Sequence, residues 1–179
     1  MRTPYTLPKM NTLAKTLDSI IQIERLSLRW IAERRHPLLD LIMRGFTRAG
    51  DWQTWTVLLL TALVAGGSLR TIALQITPRL IATFVLCFAI KSISKRPRPS
   101  KSMVNFSSLL TDPDPYSFPS SHSACAWVAC ISLVMILGSG MPLFAGYALA
   151  ISYSRIHVGA HYPLDVFIGS VIGIVIAAI

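Results

Sequence analysis

Charge is scarce in this sequence. Of 179 residues only 14% are charged, where an ordinary soluble domain carries about 25%. Acid is scarcer still: eight Asp and Glu stand against seventeen Lys and Arg, for a formal net charge of +9. The hydrophobic share is 53% and the mean hydropathy is +0.55. These values argue against a soluble globular domain and for one compact unit in a bilayer. Cysteine is also sparse. Cys87, Cys125 and Cys130 each lie inside an apolar run, without the paired spacing of a zinc site. An odd set of this kind builds no disulfide framework. No basic helix carries interleaved aromatics, and no nucleic-acid motif is present, so nucleic acid is not an expected partner. The first 37 residues lack a continuous apolar core followed by a small-residue cleavage site, so no cleavable signal peptide is expected. No internal repeat and no low-complexity tract interrupts the chain.

Hydrophobic runs are what the chain does have. Met1 to Asn11 is polar and holds Pro4 and Pro8, as a loose tail would. Thr12 to Arg35 is patterned as an amphipathic helix. Leu13, Leu17, Ile20, Ile21, Leu28 and Ile31 recur at helical spacing, while Asp18, Glu24, Arg25 and Arg29 interrupt any span. Such a helix suits the membrane interface, with Trp30 at headgroup depth. Pro37 breaks it, and Leu38 to Gly50 is a second short amphipathic piece. Five apolar runs follow, over 52–64, 71–90, 124–137, 143–153 and 166–179. Pro78 and Arg79 interrupt the second run, so that helix is expected to kink there or start late. The expected fold is all-α: a polytopic membrane bundle of about five transmembrane helices behind an N-terminal amphipathic interfacial helix. Residues 1–51 form the tail and interfacial segment, and residues 52–179 the membrane-embedded core.

Three polar clusters sit at the ends of these runs. Lys91 and Arg98 are separated by six residues, with Pro99 following. A point charge plus a planar fork of donors suits a phosphate group. Snorkelling basic residues at a membrane border would look the same. Ser120, Ser121 and His122 precede an apolar helix, where a serine cap and unpaired N–H groups make an anion site. Beside that site His122 is placed to pass a proton; an ordinary cap followed by an interfacial histidine is the plainer alternative. Arg155, His161 and Asp165 are spaced by six and four. Asp165 is expected to accept a hydrogen bond from one ring nitrogen of His161, leaving the other as a nucleophile. His157, His161 and Asp165 also recur every four residues, as a metal set would. Gly159 and Pro163 speak against one continuous helix there, and the neighbouring cations would repel a metal. No metal and no cofactor are expected. If three of the runs cross a membrane, all three clusters emerge on one side.

Taken in order, Lys91 to Arg98-Pro99, then Pro119-Ser120-Ser121-His122, then Ser154-Arg155 through His161 to Asp165 resemble the three-part signature of the type-2 phosphatidic acid phosphatases. That superfamily includes the lipid phosphate phosphatases and the vanadium haloperoxidases. The resemblance covers about residues 52–179. One position departs: Ser121 stands where the family usually has glycine, and a backbone of positive φ there would strain serine. The resemblance implies that His161 attacks phosphorus, that Asp165 orients it, and that His122 protonates the leaving oxygen and then activates water. Lys91, Arg98, Ser120, Ser121 and Arg155 would hold the phosphoryl oxygens, with no metal.

The substrate implied is a phosphate or diphosphate on a lipid tail. Polyprenyl diphosphate (undecaprenyl pyrophosphate among them), phosphatidylglycerophosphate, phosphatidic acid and lipid A phosphate all qualify. Membrane lipids are the remaining expected partners, and a bacterial inner membrane the expected location. Nine Lys or Arg precede Trp52, which by the positive-inside rule faces the clusters to the cytoplasm. Many of those charges belong to the interfacial helix, so the side stays open. The alternatives are a phosphotransferase using a hydroxyl acceptor, a non-catalytic lipid-binding protein of the same fold, and a small transporter. Only Gln75 and Arg79 offer the mid-span polarity that a transporter needs.

Overall fold

In the computed structural model, residues 12–111 and 114–179 are described. The tail from Met1 to Asn11, the Asp112-Pro113 pair and the side chains of Leu13 and Ala14 lie outside that description. Proline and glycine punctuate the chain into helices α1 (Thr12–Glu33), α2 (Pro37–Ala49), α3 (Trp52–Ala65), α4 (Gly67–Ser94), α5 (Pro99–Ser102), α6 (Ser121–Leu137), α7 (Met141–His157) and α8 (Pro163–Ala177). Pro37, Pro99, Pro142 and Pro163 all sit in first turns. There the missing N–H costs nothing and the fixed φ fits the helix. Gly138 closes α6 at φ +69 and donates its N–H to the Val134 carbonyl, a left-handed cap that a side chain would strain. The described residues are helices and loops, with one isolated antiparallel bridge between Pro97 and Tyr116.

α6 is the axis of the bundle. It packs most closely against α8, α7 and α4. Its buried positions include Ala124, Ala126, Val128, Ala129 and Cys130, mostly small residues that let neighbours come near. α8 answers with Gly169 and Gly173, four residues apart. A Cβ on Gly169 would run into the Ser120 carbonyl, and one on Gly173 into the Ala124 carbonyl and Trp127 Cβ. This is the small-residue seam of helices that associate without a water-driven hydrophobic effect. It sets the start of α8 against the start of α6, and therefore Asp165 beside Ser120.

The outer faces are apolar. Val57, Leu60, Val64, Ile81, Val85, Phe88, Phe167 and Val175 are all exposed, far more than an isolated soluble surface carries. Among the described residues, α4 is the one helix long and apolar enough to cross a membrane. Its 28 residues rise roughly 42 Å, and it runs unbroken through Pro78 from Gly67, not from a late start. α3, α6 and α8 are apolar but hold 14, 17 and 15 residues, roughly 21–26 Å against a ~30 Å core.

α1 buries only part of the stripe that its pattern predicts, and that stripe includes an acid. Leu17, Ile20 and Ile21 are exposed, whereas Glu24 and Leu28 are buried. The inward stripe is one helical turn of acid and leucine. Leu28 packs with Met103 and Tyr162, and Glu24 finds cationic and backbone partners. α2 lies against α7, where Met43 packs with Val158 and Ala160.

Candidate active site

The turn from α7 to α8 builds the centre of the site. Gly159, at φ +80, reverses the chain, and the Arg155 carbonyl accepts the N–H groups of both Ala160 (3.1 Å) and His161 (3.2 Å). A Cβ at Gly159 would also strike the Phe106 ring. The turn delivers His161, buried to 1% exposure, to a cavity of about 270 Å³ that Lys91, Arg98, Ser121, His122, Arg155 and Asp114 also line. The three clusters separated in sequence thus meet at one place.

His161 is held in one tautomer. Its Nδ1 lies 2.7 Å from the Ser117 carbonyl. A carbonyl only accepts, so Nδ1 carries the proton and Nε2 carries the lone pair. Nε2 faces Arg98 Nη1 at 3.3 Å. The expected acceptor, Asp165, is instead 3.8 Å from Nδ1. Its oxygens are committed elsewhere: Oδ2 accepts the Tyr162 N–H at 2.9 Å in a capping box at the start of α8, and Oδ1 accepts Arg96 Nη1 at 2.5 Å. The Ser117 carbonyl therefore orients the ring, and the Asp165 carboxylate lies beside it without a hydrogen bond. Burial, reinforced by the charges of Arg155, Arg98 and Lys91, holds His161 well below the ordinary histidine pKa. The ring is neutral and its Nε2 available.

Lys91 and Arg98 line the same cavity and share a partner that the sequence analysis did not single out. Lys91 Nζ is 3.2 Å from both carboxylate oxygens of Asp114 and 3.0 Å from the Tyr116 carbonyl. Arg98 Nη2 lies 3.1 Å from Asp114 Oδ1, while its other nitrogens donate to the carbonyls of Asp114 (2.8 Å) and Ala160 (2.9 Å). Burial would raise the Asp114 pKa, but Lys91 and Arg98 outweigh it and hold the carboxyl below its usual range. Arg155 is buried at the cavity wall.

At the start of α6, Ser120 is the cap, its Oγ accepting the Ser123 N–H at 3.4 Å. Ser120 is fully buried, and it is Ser121 and His122 that line the cavity. Ser121 begins the helix without a positive φ, so serine in place of glycine strains nothing there. His122 Nε2 is 2.7 Å from Asp51 Oδ1. An ionised carboxylate only accepts, so His122 donates from Nε2 and exchanges protons through Nδ1. Asp51, just before α3, escaped the sequence analysis. An acid at the edge of an apolar run was its only signal. His157 turns away from the site: its Nε2 meets Asp40 of α2 at 2.7 Å. The His157, His161, Asp165 set is not brought together.

A family model described as the PAP2 superfamily matches residues 72–179. The chain belongs to the PAP2 superfamily. This PAP2 chain is 32% identical over 109 residues to an undecaprenyl-diphosphatase of Sulfolobus acidocaldarius, a match covering 58% of this chain and 52% of that protein. The match thus spans about half the length of that relative. It is 29% identical over 137 residues to a decaprenylphosphoryl-5-phosphoribose phosphatase of Mycobacterium tuberculosis, covering 76% and 75% of the two chains. Among solved structures, LpxE of Aquifex aeolicus superposes with a TM-score of 0.71 at 29% identity, over 84% of this chain and 90% of that one. A transmembrane PAP2-type phosphatidylglycerolphosphate phosphatase of Bacillus subtilis superposes at 0.76 with 21% identity, over 90% and 84%, a likeness of fold. This PAP2 chain therefore has the helical fold of membrane proteins.

Proposed function

We propose that this chain is an integral-membrane lipid phosphatase that works through a phosphohistidine at His161, without a metal. The observation that carries the proposal is the buried, neutral His161, its proton fixed on Nδ1 by Ser117 and its Nε2 turned toward Arg98. In the first step the Nε2 lone pair forms the N–P bond as the P–O bond to the lipid breaks, and His122, entering as the imidazolium with its Nε2–H on Asp51, gives its Nδ1 proton to the leaving oxygen. In the second, His122 takes a proton from water, the hydroxide oxygen bonds to phosphorus, and the N–P bond breaks. Lys91, Arg98, Arg155 and the N–H groups at Ser121 and His122 hold the equatorial oxygens, where positioned donors do most of the work of phosphoryl transfer. Ser120 contributes by capping α6. Asp165 and Asp51 carry the charges that favour each imidazolium.

The tail fits a groove of about 350 Å³ between α3 and α4. The groove shares Trp52, Trp55, Phe84 and Cys125 with the catalytic cavity, so headgroup and tail sites are continuous. A polyprenyl diphosphate, phosphatidylglycerophosphate or phosphatidic acid is the substrate class, in keeping with the names of the relatives. The five apolar helices α3, α4, α6, α7 and α8 are the proposed crossings, in a bacterial inner membrane. Phosphate release from a panel of lipid phosphates by purified protein in detergent tests this. Release from at least one lipid, unchanged by EDTA, is expected. Loss with EDTA and recovery with zinc or magnesium contradicts it, and transfer only to an added hydroxyl acceptor makes the chain a phosphotransferase.

A further inference from the structure

We infer that Glu24, on the N-terminal helix, is a positioning residue for this site: through Arg96 it governs how much of the Asp165 charge His161 feels. The inference deepens the phosphatase reading and rests on it. Glu24 is 4% exposed on a helix whose other polar residues face outward. A buried carboxylate needs strong partners, and Glu24 has two. Oε2 pairs with Arg96 Nη2, and Oε1 accepts the Leu164 N–H at 3.0 Å, in the first turn of α8. Arg96 then reaches Asp165 Oδ1 with Nη1 at 2.5 Å, its guanidinium lying 4.2 Å over the Tyr162 ring. One acid–base–acid chain therefore runs from α1 to the carboxylate beside the nucleophile.

The chain is charge arithmetic at close range. Arg98, Arg155 and Lys91 surround His161, with His122 nearby. Asp165 is the acid in contact with the ring. Arg96 alone would cancel that acid and leave a phosphohistidine cation unsupported. Glu24 divides the guanidinium between two carboxylates, so the group as a whole stays negative. α1 precedes the stretch 72–179 that the family model matches.

The test is Glu24→Gln, whose amide oxygen still accepts the Leu164 N–H while the charge is lost. The His161 ring titration, followed by NMR on imidazole-labelled protein in detergent, is expected to move down by up to about one pH unit. Turnover number is expected to fall roughly three- to tenfold with KM within about twofold. Leu28→Ala loosens the same helix without touching charge, and is expected to leave the titration in place. An unmoved titration in Glu24→Gln, or an equal shift in Leu28→Ala, overturns the inference. If the parent releases no phosphate, the phosphatase reading fails, and the titration still decides whether Glu24 acts on His161.

Discussion

The Asp114 carboxylate sits 3.1–3.2 Å from the cationic nitrogens of Lys91 and Arg98. Those are the charges proposed to hold phosphate, so an incoming phosphoryl group meets them already half neutralised. Asp114 is an internal counter-ion, and substrate must displace it or share with it. Asp114→Asn keeps an oxygen for the Tyr116 N–H, now 3.0 Å from Oδ1, and removes the competing charge. Inhibition by inorganic phosphate is expected to tighten about fivefold, the scale of one part-exposed ion pair of ~1 kcal/mol. Unchanged or weaker inhibition would show that Asp114 assists phosphate instead of competing. At this scale the sequence was informative about which groups share the cavity, and less so about what orients them. Lys91, Arg98, His122, Arg155 and His161 line one cavity, and they stood out because ionisable groups are rare at the ends of apolar runs. Ser117 was not legible, since its backbone carbonyl serves His161 and any residue has one. Asp114 and Asp51 were not, since their partners lie 23 and 71 residues away.

Between elements, backbone approach decides the fold. Gly173 leaves no room for a Cβ against the Ala124 carbonyl, while Gly45 on α2 has nothing within 4 Å of where one would be. The two glycines give opposite outcomes on substitution. Gly45→Ala is expected to raise stability by roughly 0.5–1 kcal/mol through helix propensity. Gly173→Ala is expected to lower the melting temperature and the activity together, because α8 carries Asp165 away from α6. Thermal melts of both in the same detergent check this, and equal effects would remove the close-packed seam. Apolar periodicity located every long helix, and proline placed several of their starts. It placed the stripe of α1 on which Leu28 is buried but missed Glu24 there, because a buried carboxylate looks in sequence like a solvent-facing charge. The pairing of α6 with α8 was written in Gly169 and Gly173, a spacing whose meaning depends on a neighbour the sequence does not identify.

For the whole molecule, the five-crossing proposal fixes a topology. Ser139 lies in the turn after α6, at the far end from Ser121 and the site. Ser107 lies in the loop beside the site, its carbonyl bound by Arg35 at 3.2 Å. Single cysteines at 107 and 139, in a background without Cys87, Cys125 and Cys130, are expected to react from opposite sides with a membrane-impermeant maleimide. Labelling of both from one side would contradict the topology. Glu24 and Asp40 tie the basic N-terminal helices to the protein's own core and not to lipid alone. The chemistry itself has the most direct test. Brief reaction with a lipid bearing a 32P-labelled terminal phosphate, quenched in alkali, captures phosphohistidine while phosphoester and acyl phosphate labels are lost. The account predicts a base-stable, acid-labile label that chases to inorganic phosphate and is absent in His161→Ala. Undiminished turnover or labelling in His161→Ala would contradict it.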